Sequence, residues 1–261
     1  MSDFKRDARS LSLVLPRNRP APLKNISKTL RLAVKYDVES VRSRIITHLE
    51  AEWPRNLQEW YEFHCALKAK QGWESMTPLY PDDVAAHACF QEPVAALYLA
   101  REFNITSILP AVFYRLSTTK ISDDTAEDST SFDSGSTPAD WGNLLGPEWR
   151  LMMRGRNMLI HRFQMLMSDT YDFFNHGPPT NCTSPLQCED ILQTLRNEHV
   201  GQFDPSFARR SDIIGNILDW LGCEDDTWGL CFGCEKRVRD ELRRQLASVW
   251  ENLPIVFELR R

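Results

Sequence analysis

No apolar run in this chain approaches the ~20 residues that a membrane-spanning helix needs, and the first residues, Met-Ser-Asp-Phe-Lys-Arg-Asp, lack the apolar core of a secretory signal. No excess of positive charge is present either. The formal net charge is -5, which gives no general reason to expect nucleic acid as a partner. Also missing are a Gly-rich phosphate loop, a His-Glu-x-x-His pair and a Gly-x-Ser-x-Gly elbow, so the sequence offers no catalytic constellation, and the expectation is a protein that is not an enzyme. These absences together point to an intracellular protein, cytoplasmic or nuclear, with no membrane partner. In such a reducing compartment the seven cysteines are expected to stay free of disulfides.

What is there is ordinary for a folded domain. The 42% hydrophobic and 26% charged fractions, with eight Trp and thirteen Phe among 261 residues, allow a sizeable core. Periodicity writes helices almost throughout, and the fold class expected is all-α. Between Ile26 and Pro54 the pattern gives a helical hairpin. Leu30, Ala33, Val34 and Tyr36 make an apolar stripe on its first helix, and Val38, Val41, Ile45 and Leu49 one on its second. Asp37 stands where a helix N-cap is expected, Glu39 suits the positive end of the dipole, and Pro54 stops the second helix.

The unit is written a second time. Leu30, Leu32, Ala33, Ser40 and Leu49 recur as Leu97, Leu99, Ala100, Ser107 and Leu116, an offset of 67 residues. Asp37 falls on Asn104, and Val41 and Ile45 fall on Ile108 and Val112. Pro110 would break a helix begun at Asn104, so the second helix of this copy is expected to begin with Ser107 as N-cap, placing Pro110 in the first turn. Leu32, Val41, Ile45, Leu99, Ile108 and Val112 are expected to be buried.

Four segments follow from composition. Residues 1–29 form an extended N-terminal stretch, with Pro16, Pro20 and Pro22 as its connector. Residues 30–117 form the helical-hairpin region, including a helix from Leu57 to Gln71 and another opening at Pro81. Residues 118–140 are Ser-, Thr- and acid-rich and read as a disordered loop. Residues 141–261 form a helical region with a cysteine module. The His64-Cys65 pair resembles a dyad on paper only, since neighbours on a helix point about 100° apart. The same holds for His87 and Cys89. A long helix is expected over Pro147–Met167. Its methionines read as core filler in preference to a Met-rich binding groove. Arg150, Arg154, Arg156 and Arg162 read as a solvated stripe, the alternative being a docking surface for acidic partners.

The cysteine module carries the chemistry. Cys182 and Cys188 form a C-x5-C pair running into a helix, and Cys231 and Cys234 a C-x2-C pair with a Gly in its turn, leading into another. Two tight pairs at helix starts are what a tetrahedral all-cysteine zinc site requires. Helix N-termini also lower thiol pKa toward the metal-binding thiolate. Cys223 and His176 are spare ligands. Packed free thiols and a redox-active C-x2-C are the alternative readings, although the βαβ surround of a redox motif is absent.

The Leu-Arg-Leu-Ala-Val-Lys-Tyr-Asp-Val-Glu-Ser-Val-Arg run from Leu30, the Ile-Thr-His-Leu-Glu-Ala-Glu-Trp-Pro run ending at Pro54, the Leu-Ala-Arg-Glu-Phe-Asn-Ile-Thr-Ser-Ile-Leu-Pro-Ala-Val-Phe-Tyr run from Leu99, the Cys-Phe-Gly-Cys knuckle and the Trp-Glu-Asn-Leu-Pro-Ile-Val-Phe end together resemble the large BTB/POZ family of mushroom-forming fungi. The resemblance covers about residues 11 to 258 and implies a protein–protein interaction adaptor. A full BTB fold sets a block of strands and helices before the position of the Leu30 hairpin, and only 29 residues precede it here. The expectation is therefore a BTB tail with its following helical region, without the BTB-type dimer. A second reading is a zinc-containing transcription-associated or nucleic-acid-associated factor, with Lys236, Arg237, Arg239, Arg243 and Arg244 toward phosphates. Glu235, Asp240 and Glu241 interleave with them and favour a mixed-charge solvated face.

Overall fold

The computed structural model of the chain describes residues 23–65, 92–119, 139–175, 177–201, 212–221 and 228–259. Every regular element among them is helical, and the all-α expectation holds. Residues 1–22, the helix expected from Pro81 with His87 and Cys89, almost all of the acidic Ser/Thr segment, His176 and Cys223 lie outside the described residues, whereas residues 23–29, expected to be extended, are helical.

The first hairpin pairs α1 (Leu23–Lys35) with α2 (Glu39–Glu52). A further helix, α3, is described over residues 57–65. The second hairpin pairs α4 (Pro93–Glu102) with α5 (Leu109–Thr118). After a single 3₁₀ turn at Trp141–Asn143 come α6 (Gly146–Asn175), α7 (Pro185–Gly201), α8 (Ile213–Leu221) and α9 (Phe232–Val256). The long α6 is the hub, packing against α5, α7, α8 and α9, while α9 also reaches α5. It runs eight residues beyond the expected end at Met167.

Both hairpins turn in the same way, and not by the expected N-cap. Asp37 (φ 52°) and Asn104 (φ 56°) sit in the left-handed region. The amide of Val38 donates to the Ala33 carbonyl (2.8 Å) and that of Asp37 to the Val34 carbonyl (3.3 Å). In the second copy Ile105 donates to Ala100 (2.8 Å) and Asn104 to Arg101 (3.4 Å). This pair of bonds is the Schellman motif, which satisfies the last carbonyls of the preceding helix. The shared position therefore ends one helix instead of starting the next. Val38 is the N-cap of α2, and it makes no side-chain capping bond. The second-copy start is likewise shifted by one residue. Ile108 is the N-cap of α5, with Pro110 in the first turn as expected, and the Ser107 hydroxyl instead donates to the Glu50 carboxylate across the hairpins (2.6 Å).

One hydrophobic core runs through all these elements, from Ile26 to Phe257. Ile45, Leu99, Ile108 and Val112 lie in it, and Val41 packs partly buried against it. Leu32, Val34 and Tyr36 do not, each being more than half exposed. On α1 the buried positions are Ile26, Leu30 and Ala33, the i, i+4, i+7 face. Leu32, Val34 and Tyr36 fall off that face, because a thirteen-residue helix packed on one side can hide only one stripe. Where α6 crosses the chain end, Gly155 admits the ring of Phe257, which lies 2.2 Å from where a Cβ would stand and stacks on Phe113 (centroids 5.4 Å apart).

Candidate metal centre

The two cysteine pairs reach one point because two helices begin there. Cys182 precedes α7, and Cys188 lies in its first turn. Cys231 is the N-cap of α9 and Cys234 its third residue. All four sulfurs lie within 4.8 Å of one another. Cys182 Sγ is 3.6 Å from Cys231 Sγ and 3.5 Å from Cys234 Sγ. A disulfide would bring two sulfurs to about 2.05 Å, so the cysteines are free thiols. A tetrahedron of zinc–sulfur bonds near 2.3 Å has edges of about 3.8 Å, and the observed separations are close to that. The geometry thus brings together all four cysteines that the spacing singled out.

Electrostatics divides the four. Two amides, those of Cys234 and Thr183, face the Cys231 sulfur and bring its thiol down to about 5. Burial pushes the Cys234 thiol up, helped by its sulfur neighbours. At Cys188 the amide of Cys231, which donates to its sulfur (3.3 Å), pulls downward, but burial and the bonds to Cys182 and Cys231 together hold the thiol above its ordinary value. One sulfur is thus a ready thiolate at neutral pH, and a cation in the middle is what would let the buried pair ionise as well.

Gly233 is not a turn residue, although the Cys-Phe-Gly-Cys spelling invites that reading. It is helical, and nothing lies within 4 Å of where its Cβ would be. What lets Cys231 and Cys234 face the same point is the first turn of α9 itself, since i and i+3 share a helix face.

Elsewhere the titratable residues serve the fold. His64 Nε2 stands 2.9 Å from Asp219 Oδ1 of α8. Of the cations after the last knuckle, Arg237 donates to the Gly177 carbonyl (3.1 Å). Arg239 bonds the Leu221 carbonyl (2.7 Å) and Glu235 (3.0 Å) and stacks over Trp228. Arg244 pairs with Glu241. A buried junction that the sequence reading passed over joins the halves. The Tyr114 hydroxyl donates to Asp212 Oδ1 (2.7 Å) and accepts from the Ile214 amide (2.9 Å), while the Gly215 amide also donates to Asp212 (2.9 Å). Burial and the Asp212 carboxylate raise the Tyr114 pKa well above its usual value. The signal was legible: an Asp directly before the Ile213-Ile214 run is an N-cap signature.

The fold and its centre define an all-helical protein with a four-cysteine cluster. No family model matches the chain, and no curated protein and no solved structure matches it. No helix among the described residues is long and apolar enough to cross a membrane.

Proposed function

We propose that this chain is a non-enzymatic protein–protein interaction module, an adaptor of the BTB/POZ-like kind its sequence resembles, whose C-terminal half is fastened by one zinc ion held by Cys182, Cys188, Cys231 and Cys234. The observation that carries the reading is the closed set of four thiols within 4.8 Å. Four protein sulfurs fill a tetrahedral ion and leave no position for water or substrate, which is the design of a structural site and not a catalytic one. Such an ion ties the start of α7 to the start of α9, two elements separated by α8 in sequence.

The alternative, a transcription-associated or nucleic-acid-associated factor, needs its basic residues free for phosphates. Arg237, Arg239 and Arg244 are engaged with carbonyls and carboxylates of the fold, which favours the interaction module. A salt-dependent gel shift separates the two readings. The zinc is tested by metal analysis of protein purified without chelator, beside Cys182→Ser and Cys231→Ser. About one zinc per chain is expected in the parent and none in either variant. A metal-free parent overturns the site.

A further inference from the structure

Helices α6 and α9 leave a groove between them with a volume of about 490 Å³. Met158, His161, Arg162 and Met165 line it from α6. From α9 come Glu241, Arg244, Gln245 and Ser248. Both sets follow the spacing i, i+3, i+4, i+7, so each helix turns one continuous face into the groove over two turns, roughly 10 Å of axis. A seam flanked on both sides by helix faces of this period is the shape that accepts a third helix laid along it.

The lining says what kind of helix. Met158 is 43% exposed and Met165 54%, so these two are not core filler. They offer unbranched, polarizable apolar contact that adapts to an incoming side chain. Glu241 is the acid among the described lining residues, and it is held by Arg244 and by the Gln245 amide (3.0 Å). Arg162 makes no ion pair among the described residues, and His161 is beside it. Among the described lining residues the uncompensated charge is therefore positive, on a chain whose net charge is -5. A local field of the opposite sign to the whole selects a negative partner.

We propose that the α6–α9 groove docks an acidic amphipathic helix of a partner protein, its apolar side chains on Met158 and Met165 and its carboxylates toward Arg162. The proposal rests on the interaction-module reading and names the partner class for it.

The test uses the full chain with its zinc content verified. The probe is a synthetic amphipathic peptide of about 18 residues, long enough to be helical, with Leu on one face and Glu on the other. A control carries Lys in place of Glu. Fluorescence anisotropy reads affinity, and methyl NMR of ¹³C-labelled methionine reads location. The Glu peptide is expected to bind at least about tenfold more tightly than the Lys peptide. It should move the Met158 and Met165 methyl signals, assigned by Met158→Leu and Met165→Leu, and lose about tenfold in affinity on Arg162→Glu. Equal binding of both peptides, no binding of the acidic one, or methyl shifts confined to other methionines would overturn the groove. So would a concentration-dependent dimer in sedimentation that Arg162→Glu abolishes, since the occupant would then be a second copy. If the Arg162→Glu protein captures the same partners as the parent, the groove falls and the adaptor reading stands. If neither captures any, the adaptor reading itself falls.

Discussion

Two polar residues, Tyr114 and the half-buried Glu52, weigh on stability in different ways. Tyr114 is fully buried, and its hydroxyl is where α5 meets the start of α8. Tyr114→Phe leaves the Ile214 amide without its acceptor and Asp212 with one donor fewer. The expected loss is about 1–3 kcal/mol, read as a lower urea midpoint at unchanged m. Glu52 behaves differently. Burial brings its pKa up to about 7. His48 Nε2 is 2.8 Å from it, but the angle closes no hydrogen bond, and burial lowers the His48 pKa too. Because the folded value lies above the ordinary one, the protonated carboxyl favours the fold. That contribution is fully present below about 4.5 and is lost as pH climbs through about 7. Glu52→Gln removes the dependence. Above neutrality the variant should be the more stable, by on the order of 1 kcal/mol given the partial solvation. Thermal melts near pH 4.5 should coincide.

At the scale of elements the sequence was legible wherever periodicity and breakers act locally. The hairpins, the α2 stop before Pro54 and the placement of Pro110 follow from spacing alone. So did the shared facing of Cys231 and Cys234, because i and i+3 lie on one side of a first turn; that this pair meets Cys182 and Cys188 is set by how α7 and α9 pack on α6. What could not be read was which of several apolar stripes a helix turns inward. Leu32 and Met158 are as hydrophobic as their buried neighbours, and only the packing partners decide. Glycine shows the same divide. Gly155 and Gly233 look alike in sequence, but the first is filled by Phe257 and the second borders open space. Gly155→Ala should therefore lower stability by about 1–3 kcal/mol despite the better helix propensity of Ala. Gly233→Ala should stay within about 0.5 kcal/mol of the parent or gain slightly. Paired denaturant titrations check both.

For the whole molecule, the zinc reading makes a regional prediction. Chelation should lower the thermal midpoint, and hydrogen exchange should quicken first in α7 and the opening turn of α9. The α1–α2 and α4–α5 hairpins should hold their protection. Uniform loss of protection across the chain would count against a local fastening. The turns that close those hairpins have a further consequence, since the fold repeats them a third time at its end. Glu258 (φ 52°) completes the same motif, with Leu259 donating to the Pro254 carbonyl (2.7 Å). All three left-handed positions carry side chains where glycine rests without strain. The protein therefore holds unused thermal headroom at two of them, Asp37 and Glu258, far apart in sequence. Asp37→Gly and Glu258→Gly should each raise stability by roughly 0.5–1 kcal/mol, the exposed Arg154 pair of Glu258 being of little weight. Asn104→Gly should change almost nothing, because Asn already tolerates that backbone. The gains from the first two should add in the double variant, lifting its melting temperature by about 2–4 °C for each kcal/mol.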